Sequence, residues 1–126
     1  MAVKCQDKKK LGNWIKNLRE AKTPPLSQRK LAAAVDITNA SLSAIENGAV
    51  FPSETVFLNL LKELAPPEQQ REIMLNLYAE AKGTSPPDIS VYLRETPQIY
   101  DFIRNLMNIE LTNEKIHILQ QEIGEL

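Results

Sequence analysis

Hydrophobic side chains recur every three or four residues along most of the chain, and no segment alternates apolar and polar residues as a strand does. The first apolar stripe lies within residues 8–22 and consists of Leu11, Trp14, Ile15 and Leu18. Pro24 and Pro25 follow it, and the residue before a proline is disfavoured in a helix. Residues 1–7 carry no such stripe and are expected to form a disordered tail. The pattern predicts an all-α protein.

Two short helices joined by a tight turn are predicted next, over residues 28–35 and 39–47. Ser27 and Thr38 precede them as N-caps, because a hydroxyl can accept a hydrogen bond from a free N–H of the first turn. Asp36 lies in the turn, where a positive φ is often needed, and Gly48 fits the position after the second helix. The inward positions are Leu31, Ala32, Leu42 and Ile45.

The outward positions of the second helix carry short side chains rather than the long charged ones of an ordinary exposed helix. They are Asn39, Ala40, Ser41, Ser43 and Ala44. Such a face lets the backbone approach the base edges of DNA, where Asn can pair with adenine and a methyl group can touch thymine. The alternative interpretation is a small-residue helix packed against another helix.

These residues resemble the Cro/phage-repressor (XRE) family of helix-turn-helix proteins. The resemblance covers Leu11 to Ala65, and the run Ile45-Glu46-Asn47-Gly48 is its most specific part. It implies a five-helix, lambda-repressor-like domain. The second helix then abuts the phosphate backbone of DNA, and the third enters the major groove.

The resemblance also assigns roles by position. Gln28 and Asn47 match phosphate contacts. The positions that match or flank the base-facing ones are Asn39, Ala40, Ser43, Ala44, Thr38 and Ser41. Arg19 and Glu46 match a pair that forms a salt bridge in some members. Two departures are Asp36, in place of a common glycine, and a longer first loop over residues 23–26.

Positive charge is concentrated in the front half of the chain. Residues 1–65 carry 10 Lys and Arg against 6 Asp and Glu, whereas residues 66–126 carry 5 against 10. A basic half suits a polyanionic partner. Arg29, Lys30 and the run Lys8 to Lys10 are therefore expected to contact phosphates, unless they serve solubility alone.

The remaining helices extend to the end of the sequence. Ser53 caps a fourth helix, and a fifth spans residues 67–82. The predicted apolar face of the fifth helix consists of Ile73, Met74, Leu77, Tyr78 and Ala81. The Gly- and Pro-containing stretch 83–87 then divides the chain into a DNA-binding domain, 8–82, and a short helical C-terminal module, 84–126.

The C-terminal module is too short to build a stable core alone. Its apolar positions are therefore assigned to homodimerisation, and they are Ile99, Phe102, Ile103, Leu106, Ile116, Leu119 and Ile123. The alternative is packing within one chain. The module also resembles the tail of repressors that an ImmA/IrrE-type metalloprotease cleaves, which makes such a protease a candidate partner.

Few residues could support other chemistry. The single cysteine, Cys5, and the single histidine, His117, cannot supply a zinc site, and no catalytic constellation or phosphate loop is present. We therefore predict no enzyme, no metal and no cofactor. No apolar run is long enough to span a membrane and no signal segment is evident, so a cytoplasmic protein without membrane partners is expected.

Together these patterns predict a sequence-specific transcription regulator, most simply a repressor, that binds a pseudo-palindromic site in double-stranded DNA as a homodimer. Two alternatives stay open. One is the antitoxin of a toxin–antitoxin pair, whose tail neutralises a toxin protein. The other is a protein–protein adaptor that uses the helices only as a scaffold.

Overall fold

A computed structural model describes residues 2–126, and within that range all regular secondary structure is helical. The helices are α1 (Cys5–Glu20), α2 (Gln28–Ala34), α3 (Asn39–Glu46), α4 (Glu54–Leu64), α5 (Glu68–Lys82), α6 (Pro87–Glu95), α7 (Tyr100–Met107) and α8 (Asn113–Gly124), with a 3₁₀ turn at Pro97–Ile99. The prediction of an all-α protein with five helices and a further helical segment is confirmed. None of these helices combines the length and apolarity needed to cross a bilayer.

Local signals set the helix boundaries as the sequence predicts. The hydroxyls of Ser27, Thr38 and Ser53 each accept a hydrogen bond from the backbone N–H three residues later, at 3.2, 3.0 and 3.3 Å. Asp36 has φ of 57° and Gly48 has φ of 76°, so both turn positions adopt the left-handed conformation. The caps and the positive φ at Asp36 are thereby confirmed.

Helix α1 begins earlier than predicted. The N–H groups of Asp7 and Lys8 both donate to Lys4 O at 3.1 Å, and the Asp7 carboxylate lies in the first turn, where it complements the helix dipole. Residues 5–7 are therefore helical, and their assignment to a disordered tail is wrong. Met1 lies outside the described residues.

The chain divides into two compact units, residues 1–90 and 91–126. The first unit contains the hydrophobic core, to which each of the helices α1 to α5 contributes. Its largest fully buried apolar side chains are Leu11, Ile15, Leu31, Leu42, Phe57, Leu60, Leu64, Met74 and Leu75. The division between these units lies within α6. The functional boundary near Gly83 stays a prediction.

The core face of α5 is rotated from the predicted one. Ile73 is half exposed, while Leu75 and Ala79, which the predicted stripe omits, are buried. Tyr78 fixes this rotation, because its ring stacks on Phe57 at 4.5 Å between centroids and its hydroxyl donates to the Pro52 carbonyl at 2.9 Å. The predicted stripe was therefore wrong at Ile73.

The second unit lacks a buried core of its own. Every residue from 91 to 126 is at least partly exposed. Ten of the large exposed hydrophobic side chains of the described residues lie in this unit, including Phe102, Met107 and Ile123, which are 54%, 76% and 65% exposed. A helical segment with this much apolar surface is typical of a protein interface.

Candidate nucleic-acid interface

Helices α2 and α3 form the tight pair that the sequence predicts. In the turn between them, Asp36 N–H donates to Ala33 O at 3.3 Å and Ile37 N–H donates to Ala32 O at 3.0 Å. Leu42 and Ile45 anchor α3 in the hydrophobic core, where their side chains are 0% and 4% exposed. The opposite side of α3 is therefore presented to solvent on a fixed backbone.

A buried ion pair joins the end of α3 to α1. Arg19 Nε donates to Glu46 Oε2 at 2.8 Å, and Arg19 Nη2 donates to Glu46 Oε1 at 2.9 Å. The two side chains are 11% and 1% exposed. Hydrogen bonding to Glu46, together with its charge, raises the pKa of Arg19 above its ordinary value despite burial. The salt bridge implied by the family resemblance is present.

The two members of this ion pair each bind one further segment. Gln28 Nε2 donates to Glu46 Oε1 at 3.1 Å, and Arg19 Nη1 donates to Leu26 O at 3.0 Å. Glu46 thus ties the start of α2 to α1 and α3, and Arg19 ties the end of the loop before α2 to the same pair. The amide of Gln28 was assigned only a phosphate contact from the sequence, and this structural role was missed; the phosphate contact stays a prediction.

A close backbone approach sets the crossing of α1 and α3. A Cβ at Gly12 would overlap Ile45 O and lie 2.6 Å from Glu46 O, so only glycine fits there. Sequence analysis did not single out Gly12. Its position in the middle of a helical stripe is the signal that could have found it, since such a glycine usually has a packing reason.

The residues predicted to face DNA lie on the solvent side of α2 and α3. Those that are exposed are Arg29, Lys30, Thr38, Asn39, Ala40, Ser41 and Asn47, while Gln28, Ser43 and Ala44 are partly buried. Thr38 Oγ1 donates to Ser41 Oγ at 2.8 Å, and Asn47 Nδ2 donates to Ser43 Oγ at 3.4 Å. The Asn39 side chain has no hydrogen bond among those described.

Negative charge is nearly absent from this surface. Between residues 28 and 48 the carboxylates are Asp36 and Glu46. Glu46 is buried and neutralised by Arg19, whereas Asp36 is exposed in the turn. The surface therefore presents the cations Arg29 and Lys30 against one exposed carboxylate, a balance that favours a polyanion.

Candidate metal-ligating residues do not cluster in the described part of the chain. Residues 2–126 contain no group of three or more His, Cys, Asp or Glu placed to hold a metal ion. Cys5 is exposed. The His117 ring lies on α8, with Nε2 3.3 Å from Gln121 Nε2.

The residues predicted to form the dimer interface lie in the second unit. Phe102, Ile116 and Ile123 are exposed, and the others, Ile99, Ile103, Leu106 and Leu119, are partly buried. An open groove of about 480 Å³ lies between α7 and α8. Its lining residues are Phe102, Leu106, Leu111, Ile116, Leu119, Gln120, Glu122, Ile123 and Leu126. Ile99 and Ile103 do not line it.

Comparison with known proteins places the first unit in a family. No curated protein and no solved structure matches the chain. Residues 10–72, which run from α1 into α5 and include both α2 and α3, match the helix-turn-helix domain family. The match covers half of the 126 residues and coincides with the surface described above. The chain belongs to the family of helix-turn-helix domains, which indicates a DNA-binding regulator.

Proposed function

We propose that this protein is a transcriptional repressor of the Cro/phage-repressor (XRE) type. It binds a pseudo-palindromic operator as a homodimer, with α3 of each copy in the major groove. The proposal assigns no catalytic step to the chain. The observation that carries it is the solvent face of α3. Its side chains are short, most of them are polar, and none is an exposed carboxylate, while the buried face of the helix packs in the core.

Asn39 is the central base-reading residue in this proposal. It is the first residue of α3, and recognition helices contact base edges chiefly with their N-terminal residues. Its side chain is exposed, so it can turn toward the N6 and N7 edge of adenine. Ala40 next to it supplies a methyl group that can contact thymine.

Neighbouring residues support the position of α3 on the duplex. Arg29 and Lys30 on α2 are exposed and supply charge for the phosphate backbone. Thr38 is occupied in capping α3, with its hydroxyl bonded to Ser41. In the proposal this pair therefore fixes the entry of α3, and the specificity is concentrated in Asn39, Ala40 and Ser43.

Homodimerisation is proposed from the second unit. Ten large hydrophobic side chains of residues 91–126 remain exposed in the single chain. Each partner of a specific interface buries roughly 800 Å². The exposed parts of these ten side chains are apolar surface that a second copy can bury. A dimer then presents two copies of α3 to successive turns of the same face of DNA.

Binding to duplexes of defined and of mixed sequence tests the proposal. Asn39→Ala is compared with Asn59→Ala, which removes the same amide from an exposed position on α4. We expect Asn39→Ala to reduce the preference for the defined site over mixed sequence by about 1–3 kcal/mol and to leave mixed-sequence binding unchanged. Asn59→Ala should alter neither.

Two results would contradict the proposal. If the wild-type protein binds no duplex even at low salt, the helix-turn-helix serves another purpose and the adaptor hypothesis is favoured. If Asn39→Ala weakens binding equally on every sequence, Asn39 contacts the phosphate backbone of the DNA and does not read bases.

A further inference from the structure

One face of α1 lies against the C-terminal end of α3. Gly12 packs on the Ile45 and Glu46 carbonyls, and seven residues further on Arg19 binds the Glu46 carboxylate. Residues three or four apart share a face of a helix. Lys16 lies four residues after Gly12 and three before Arg19, so it belongs to this face, and it is exposed.

Lys9 extends the same face toward the start of α1. A Cβ at Gly48 would lie 2.6 Å from Lys9 Cγ and 2.9 Å from its Cα, so the Lys9 stem packs against the residue that follows Asn47. The residue as a whole remains exposed. The backbone and the base of the side chain of Lys9 therefore lie beside the residue that follows Asn47, and its exposed ammonium group extends from there.

The lysine run at residues 8–10 is not one patch. Lys10 lines a groove with Trp14 and Gln70, between α1 and α5. It lies two residues from Gly12, and residues two apart do not share a helix face. Lys9 thus lies on the side of α1 next to the end of α3, whereas Lys10 lies on the side next to α5, so the phosphate contact expected of Lys10 from the sequence is not part of the inference.

We infer that Lys9 and Lys16 form a phosphate-binding pair that flanks the C-terminal end of α3. The inference rests on the proposed function and extends the protein–DNA contact from α2 and α3 onto α1. Seven residues at 1.5 Å of rise separate the two lysines by about 10 Å along the helix, so they contact different phosphates. Asn47, the exposed C-cap residue of α3, directly precedes Gly48, against which Lys9 packs.

The same positions of Lys9 and Lys16 would also suit a purely structural role. The last carbonyls of a helix carry partial negative charge, and a nearby cation stabilises them. Lys9 and Lys16 could stabilise α3 in this way without contacting DNA. The salt dependence of DNA binding distinguishes the two roles, because only a phosphate contact releases a counterion.

The test measures binding to a mixed-sequence duplex over a series of NaCl concentrations. Variants are Lys9→Gln and Lys16→Gln, with Lys10→Gln as the matched control on the same helix. Glutamine keeps the Cγ that lies over Gly48, and Lys9→Arg keeps the charge as well. We expect the slope of log K against log salt to fall in magnitude by about 0.9 for each of the first two variants. Lys10→Gln and Lys9→Arg should keep the wild-type slope.

The outcomes separate the inference from the proposed function. Absence of wild-type binding overturns both. Wild-type binding with unchanged slopes for Lys9→Gln and Lys16→Gln overturns the inference alone. An equal loss of slope for Lys10→Gln also overturns it, because the charge would then act irrespective of the face on which it lies.

Discussion

Removing Arg19 tests the role of the buried ion pair in holding the recognition helix. Arg19→Met keeps an unbranched side chain of similar length but leaves the Glu46 carboxylate, 1% exposed, with the Gln28 amide as its remaining described partner. It also leaves Leu26 O without its donor. Removing one partner of a buried ion pair lowers the free energy of unfolding by about 3–5 kcal/mol, because the other charge remains in a site shielded from water.

The expected loss is a large fraction of the total stability. The free energy of unfolding of a small domain is about 5–15 kcal/mol. A loss of one kcal/mol from it lowers the Tm of a 60–100-residue domain by about 4–8 °C. Arg19→Met should therefore lower Tm by about 15–30 °C. Urea titration followed by Trp14 fluorescence measures the free energy of unfolding, since Trp14 is the single tryptophan and is partly buried in the first unit.

Two further variants make the test specific. Arg71→Met makes the same change at an exposed site on α5 and should alter stability by no more than about 0.5 kcal/mol. The double variant Arg19→Met/Glu46→Leu removes both charges and should recover most of the loss. The reasoning is refuted if Arg19→Met costs no more than Arg71→Met, or if the double variant is less stable than Arg19→Met alone.

Three other perturbations follow from the structure. Gly12→Ala should destabilise the protein by about 2 kcal/mol or more by pushing α1 from the α3 carbonyls, whereas Gly124→Ala, which has open space around it, should be neutral or slightly stabilising in urea titration. Burial, with a smaller contribution from Glu54, raises the pKa of Tyr78 to about 12, so the contribution of Tyr78 to the free energy of unfolding should be constant below the ordinary value of 10.0 and fall as pH rises from there toward 12. Tyr78→Phe should remove that fall in urea titrations across the alkaline range, at a cost of about 1 kcal/mol for the lost hydrogen bond; an unchanged alkaline fall would exclude Tyr78 as its source. Leu119→Asp in the α7–α8 groove should convert a dimer to a monomer in light scattering, and a molecular mass that does not change would remove this groove from the interface.

Local signals made the helix-turn-helix predictable from sequence. The caps at Ser27, Thr38 and Ser53 and the positive φ at Asp36 each depend on residues within one turn of the chain. The inward positions of α2 and α3 follow from helical spacing alone. These features need no knowledge of distant contacts.

Features that depend on the approach of separate helices were harder to predict. The role of Gly12 requires the crossing distance of α1 and α3, and the bond from Gln28 to Glu46 joins residues 18 positions apart. The rotation of α5 that exposes Ile73 follows from ring stacking with residues that precede it by more than 20 positions. Spacing within one segment carries no information about such contacts.

Sequence selection from a random duplex pool tests the central claim most directly. The wild-type protein should enrich a dyad-symmetric site whose half-sites lie one helical turn apart, and Asn39→Ala should lose preference at one base pair of each half-site while Asn59→Ala retains the motif. A pool without an enriched motif, or the same motif from wild type and Asn39→Ala, would contradict the claim that α3 reads DNA through Asn39.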